Sequence, residues 1–292
     1  MGGAFRVAGC LLAFLLAGCG ASGTINKADK FADAGIAYAD AVPAFYDESF
    51  VMAGTANALV LAQARNDLSP DERAERLGES DSQLSDRLAI LRDLKAHAST
   101  LRAYFIALKA LASTDAAGDV SNATKGLVDR LGKLSPAIAG ADIGGLPVAD
   151  FIEPAVTIAV ASYQSAALNH ELQARSEAIE RELALQKAAV AAIGEQMLAD
   201  WDLQVQIEQR NPLTRSFVAD GPLPANWSDR RIELLRLTAN IESFNAASRA
   251  ADSLHQSWIA FAEGRLGDDG LLLLLRDVEE LVQLATKLRA QA

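Results

Sequence analysis

The chain has 292 residues, a formal net charge of −11 and a hydrophobic fraction of 50%, so it can bury a substantial core. Its acidic balance argues against nucleic acid and anionic lipid surfaces as partners, because both attract clusters of Lys and Arg. Both cysteines, Cys10 and Cys19, lie within the first 19 residues, so disulfides and thiol chemistry are not expected in the rest of the chain.

The first 18 residues are organised like an export signal. Arg6 supplies the positive charge, residues 7–16 form an apolar stretch, and the small residues Ala17 and Gly18 follow. The stretch is too short for a transmembrane helix, which needs about 20 apolar residues. A buried helix with two core cysteines is the alternative, which is disfavoured because residues 20–23, Gly-Ala-Ser-Gly, continue a helix poorly.

The segment Leu16-Ala17-Gly18-Cys19 resembles the lipobox of bacterial lipoproteins. The resemblance implies cleavage between Gly18 and Cys19 and acylation of the Cys19 thiol, which would anchor the protein in a membrane. Residue 20 is Gly and not Asp, so the same resemblance implies the outer membrane, with the protein facing the periplasm. The predicted domains are a signal peptide (1–18), a lipidated cysteine with a short tether (19–24) and one helical domain (25–292).

Apolar residues at intervals of three and four predict an all-α fold, an elongated bundle of four to six helices with heptad-like seams. The first helix is expected over about 25–68, with a kink or break before Pro43. Along its seam, large residues alternate with small ones: Phe31, Gly35, Tyr38, Val42, Phe45, Ser49, Met52, Ala56 and Leu59.

Capping boxes predict the starts of the next two helices. Ser69 and Glu72 begin a short helix that ends near Gly78, and Ser80 with Gln83 begins a helix over about 81–113. Glycines and prolines punctuate residues 114–153, which favours one short helix around 120–133 and then an irregular connection.

The second half of the chain is predicted to contain one very long helix, about 155–210, which Asn211-Pro212 ends. Gly194 is the expected weak point of this helix. A helix over about 228–263 follows, with Ile232 and Leu235 among its core-facing residues, and Asp268 or Asp269 caps a last helix over about 269–290.

The loop between the long helix and its successor contains apolar and aromatic side chains. They either staple the loop to the neighbouring helix ends or form a partner-binding tip, and we take them as candidate binding residues: Leu213, Phe217, Leu223 and Trp227.

The sequence predicts no catalytic, metal or cofactor site. His97, His170 and His255 fall on different predicted helices, and none has a partner at a spacing typical of metal ligands, so surface or capping roles are expected. No G-x-S-x-G or nucleotide-binding signature occurs.

The leading functional hypothesis is therefore a lipid-anchored, non-enzymatic protein that binds an envelope partner or self-assembles. Residues 154–169 contain no charge, and a mid-chain apolar segment between long helices resembles the layout of α-helical pore-forming toxins. Sixteen residues are too few to span a bilayer, so a buried helix is favoured and a membrane-perturbing protein is the alternative. A cofactor-binding bundle is a third hypothesis.

Overall fold

A computed structural model of the chain describes residues 4–113, 125–126, 129, 142–143, 146–147, 164–239 and 245–291. A 3₁₀ turn, Arg65–Asp67, joins the first two helices, and a π-helical turn, Gln206–Arg210, follows the third. A two-residue hairpin, β1 (Asp142–Ile143) and β2 (Leu146–Pro147), pairs in antiparallel fashion. The helices are α1 (Ala4–Ala64), α2 (Pro70–Ser113), α3 (Gln164–Val205), α4 (Asn211–Val218), α5 (Trp227–Ala239), α6 (Asn245–Ala262) and α7 (Asp268–Gln291).

Five of these helices form an elongated bundle, which confirms the predicted fold class. Helix α1 contacts α2, α3, α6 and α7, so it lies at the centre. At one end, which we call the foot, Lys27 Nζ donates to the Leu266 carbonyl (2.8 Å) and pairs with Asp268 (3.4 Å). Helices α1, α3 and α7 run from the foot towards the other end of the bundle, and α2 and α6 run back towards the foot.

The predicted seam of α1 lies in the core. Phe31 is fully buried near the foot, where its ring stacks on Phe261 at 5.2 Å and meets the edge of Phe105 at 5.7 Å. Trp258 completes this cluster and donates its indole N–H to the Ser176 carbonyl at 3.1 Å, so a large aromatic side chain is buried with its polar atom satisfied.

A ladder of ion pairs fixes the register of α2 against α1. Successive pairs are seven residues apart on both helices, as an antiparallel heptad contact requires. The rungs are Asp33–Lys109 (2.6 Å), Asp40–Arg102 (2.6 Å) and Asp47–Lys95.

Helix α1 does not break at Pro43. The helix is continuous from Ala4 to Ala64, so it also includes residues 19–24, which were assigned to a tether. Proline removes the N–H that would bond the carbonyl four residues earlier, at Ala39. The adjacent Asp40 carbonyl accepts a hydrogen bond from Arg289 of α7 at 2.6 Å, which supplies a donor beside the interrupted backbone ladder.

The capping box at the start of α2 is confirmed, and the predicted break at Gly78 is wrong. Glu72 accepts from the Ser69 backbone N–H at 2.8 Å, and the Ser69 hydroxyl accepts from the Glu72 N–H at 3.4 Å. Helix α2 then continues to Ser113. Ser80 does not cap a helix, because its hydroxyl donates across the bundle to Asn57 Oδ1 at 2.5 Å.

The long helix is confirmed from Gln164, but its predicted end at Asn211-Pro212 is wrong. The π turn precedes Pro212, and α4 continues to Val218. The ring of Pro212 leaves the Glu208 carbonyl without its helical donor, and Arg230 donates to that carbonyl at 3.3 Å. The chain also remains helical at Gly194.

The remaining boundaries agree or fall outside the described residues. Helix α7 begins at Asp268, and the predicted helix 228–263 corresponds to α5 and α6. In the predicted helix 120–133, residues 125, 126 and 129 are helical, whereas most of the expected connection and residues 154–163 lie outside the description. Across the described residues, no helix has both the length and the hydropathy needed to cross a bilayer.

Candidate functional site

The candidate tip lies at the end of the bundle opposite the foot. Helix α3 runs alongside α1 until Gln204 donates to the Met52 carbonyl at 2.9 Å, and the chain then continues through the π turn into α4. We call residues 206–235 the distal tip. Ser176 lies near the foot, where its carbonyl binds Trp258. A helix rises about 1.5 Å per residue, so Val218 lies about 63 Å further along the same helical run.

The tip is folded around Trp227. The Trp227 ring stacks on Phe217, with ring centroids 5.7 Å apart and an interplanar angle of 22°. Its indole N–H donates to the Leu213 carbonyl at 3.1 Å, and the Arg231 guanidinium carbon lies over the Trp227 ring, 5.7 Å from the ring centroid. The structure therefore brings together three predicted residues, Leu213, Phe217 and Trp227, whereas Leu223 lies in the loop between the helices.

The tip exposes several large apolar side chains. Phe217 is 66% exposed and Val218 is 75% exposed, although both end a helix whose Leu213 is buried. Sequence reasoning missed three members of this surface, because Val218 was not considered and Ile232 and Leu235 were assigned to a core-facing stripe. We call the exposed set the apolar tip surface: Phe217, Val218, Leu223, Ile232 and Leu235.

A second cluster of functional groups lies inside the bundle, between α1, α2 and α3. His97 Nδ1 is hydrogen-bonded to Glu182 Oε2 at 2.8 Å. Gln186 donates to the other oxygen of Glu182 at 3.1 Å and accepts from the Tyr46 hydroxyl at 2.6 Å. These four residues, which we call the buried network, are all almost completely shielded from solvent.

The environment of the buried network keeps its phenols neutral. Burial raises the pKa of Tyr46 well above its usual value of 10.0, and the nearby Tyr38 and the Glu182 carboxylate raise it further. Burial and Glu182 also raise the pKa of Tyr38. A solute cannot reach these groups without opening the bundle, so the network joins three helices rather than forming an accessible reaction site.

The histidines correct the sequence-based expectation. His97 is not at the surface. It is buried, and its hydrogen bond to Glu182 on another helix offsets the cost of removing the imidazole from water. His255 is half-buried, and neither of its ring nitrogens has a hydrogen-bond partner among the described residues. The side chain of His170 is outside the described set. In the described ranges, no three His, Cys, Asp or Glu side chains are grouped closely enough to bind a metal ion.

Gly18 and Cys19 lie within α1, and the side chain of Cys19 is outside the described set. No protein-family model matches the chain, and neither a curated protein nor a solved structure is significantly similar to it. Interpretation of function therefore depends on the lipobox resemblance and on the geometry of the bundle.

Proposed function

We propose that this protein is a lipid-anchored, non-enzymatic helical spacer of the bacterial cell envelope, which holds a partner-binding tip away from its membrane. The observation that supports this proposal is the position of the apolar tip surface at the end of the bundle opposite the foot. Cys19 precedes the foot on α1, so acyl chains on Cys19 would anchor that end.

The structure of the tip supports a binding role. Single exposed apolar side chains need no explanation, but five of them within a folded segment of 30 residues favour an interaction site. Phe217, which precedes the loop, and Leu223, which lies within it, are both exposed, and Trp227 anchors the end of this loop. The exposed seam between α1 and α2 is instead lined by ion pairs, which favour solvation over adhesion.

The anchor is tested by replacing the cysteine. In a Gram-negative host, the wild-type protein is expected to sediment with outer membranes and to be released by detergent. Cys19→Ala should give an uncleaved or soluble protein, because no thiol remains to be acylated. Cys10→Ala is the matched control, since Cys10 is removed with the signal peptide, and it should fractionate like the wild type. A Cys19→Ala protein that still sediments with outer membranes would contradict the anchor.

A further inference from the structure

We propose that the distal tip binds a second copy of this chain in a two-fold symmetric dimer. The proposal rests on the proposed function, in which the tip is the binding surface, and it adds that the bound partner is a second copy of the chain. The exposed apolar and charged groups at the tip support it.

The tip is large enough for a dimer interface. Stable interfaces bury about 800 Å² on each partner and involve about 20–30 residues a side. The distal tip is a continuous segment of 30 residues, most of them exposed or half-buried, and it contains the five residues of the apolar tip surface. Phe217 is the largest of them, and the stack on Trp227 holds its ring in one orientation, so little side-chain entropy remains to be lost on binding.

Charges that border the apolar tip surface are unpaired and of both signs. Arg215, Asp220 and Asp229 are exposed, and none forms an ion pair within the part of the chain that the structure describes. By contrast, Arg210 pairs with Asp202 at 3.8 Å, and Arg230 is bound to the Glu208 carbonyl.

Two-fold symmetry allows these unpaired charges to satisfy one another. In such an interface each contact between two different residues occurs twice. Arg215 of one copy can therefore meet Asp220 or Asp229 of the other, and the reverse pair forms across the axis. A single tip does not form these pairs internally, so the surface is self-complementary.

The overall charge also favours approach through the tips. The chain has a net charge of −11, so the bodies of two copies repel each other. Residues 206–235 carry no net charge, because four arginines balance four acidic residues: Arg210, Arg215, Arg230 and Arg231 against Glu208, Asp220, Asp229 and Glu233. Two tips therefore meet without net repulsion, and anchoring on one membrane raises their effective concentration.

Photo-crosslinking in cells identifies the occupant of the tip. A photoreactive phenylalanine analogue replaces Val218 in the full lipidated chain, and the same analogue at Leu272, exposed on α7 near the foot, is the control. We expect a product of twice the chain mass from position 218 and little from position 272. A product of another mass alone would overturn the second-copy inference and leave the proposed function standing. If position 218 gives no product, both fail.

Charge reversal tests the two-fold contact in detergent-solubilised full-length protein. Arg215→Glu should weaken dimerisation about tenfold in sedimentation velocity, and Asp220→Arg/Asp229→Arg should do the same, because each opposes like charges. The triple variant should regain wild-type association. All three sites are exposed, so unchanged thermal melts are expected and would show that folding is retained. A wild type that remains monomeric, or a triple variant that does not recover, would overturn the inference.

Discussion

At the residue scale, His97 and Glu182 form a buried polar pair that joins α2 to α3. Removing one member of a buried pair leaves an uncompensated polar group and costs about 3–5 kcal/mol. His97→Leu and Glu182→Leu should each lower the free energy of unfolding by about this amount. The double variant should lose less than the sum of the two, because neither partner remains stranded. Urea unfolding of the four proteins measures the coupling, and strictly additive losses would contradict it.

His255 should make stability depend on pH. Burial lowers its pKa from the ordinary 6.5, and the positive charge of Lys187 lowers it further while Asp252 opposes this effect. The unfolded chain then binds a proton more readily than the folded one, so stability is full above about pH 6.5 and falls as the pH drops below it. We expect His255→Gln to reduce this loss in urea unfolding at pH 7.5 and 5.5. An identical loss in both proteins would show that His255 is not responsible.

Single residues could be predicted from the sequence only where their partners are local. The Ser69–Glu72 capping box is a pattern of four consecutive residues and was found directly. The buried state of His97 depends on Glu182, which is 85 positions away, and no local pattern indicates that pairing. Trp227 is an intermediate case. Its aromatic neighbour Phe217 is close in sequence, but the exposure of Phe217 depends on how the tip folds.

At the scale of elements, the close contact of α1 and α2 depends on Gly35. A Cβ at this buried position would lie 2.5 Å from Cγ and Cε2 of Phe105, so one ring or helix must move. Gly35→Ala should therefore be destabilising, because overpacking costs about 1–3 kcal/mol and exceeds the gain in helix propensity of about 1 kcal/mol.

Gly54, on the same helix, is the matched control for this prediction. A Cβ there would have nothing within 4 Å, so only the propensity gain applies. Gly54→Ala should raise the free energy of unfolding by about 1 kcal/mol. Thermal or urea unfolding measures both variants, and the prediction is wrong if they shift stability in the same direction.

The existence of the helices was predictable from periodicity, whereas several of the predicted helix ends were wrong. The seam of α1 gave the core face correctly, because hydrophobic spacing is repeated over many turns. The predicted stops failed where tertiary contacts compensate a helix breaker. Arg230 satisfies the carbonyl that Pro212 leaves free, and Asn57 accepts from Ser80, which therefore does not act as a cap. These hydrogen-bond partners come from other segments of the chain. A proline or a capping pattern read from the local sequence therefore predicts a helix end that the folded protein does not have.

At the scale of the whole molecule, the arrangement of helices places the foot and the distal tip at opposite ends, as the proposed function requires. Helix α1 leads away from the foot, and α3 runs beside it, so both of the longest described helical runs cross the bundle in the same direction. The sequence indicated the elongated shape and four residues of the tip. It could not place Ile232 and Leu235 at the surface, because their helical spacing is the same whether a stripe faces a core or solvent.

The separation of foot and tip can be measured as a distance between spin labels. In a Cys10→Ser/Cys19→Ser background, labels at Glu180→Cys and Val218→Cys are 38 positions apart along α3, the π turn and α4, which corresponds to about 57 Å in a continuous helix. Labels at Glu180→Cys and Glu195→Cys, both within α3, are the control and should be about 22 Å apart. Pulsed electron paramagnetic resonance reports both distances. If the labels at positions 180 and 218 were less than about 45 Å apart while the control distance was as expected, the helix would have to fold back near Pro212. The tip could not then lie at the far end of a spacer.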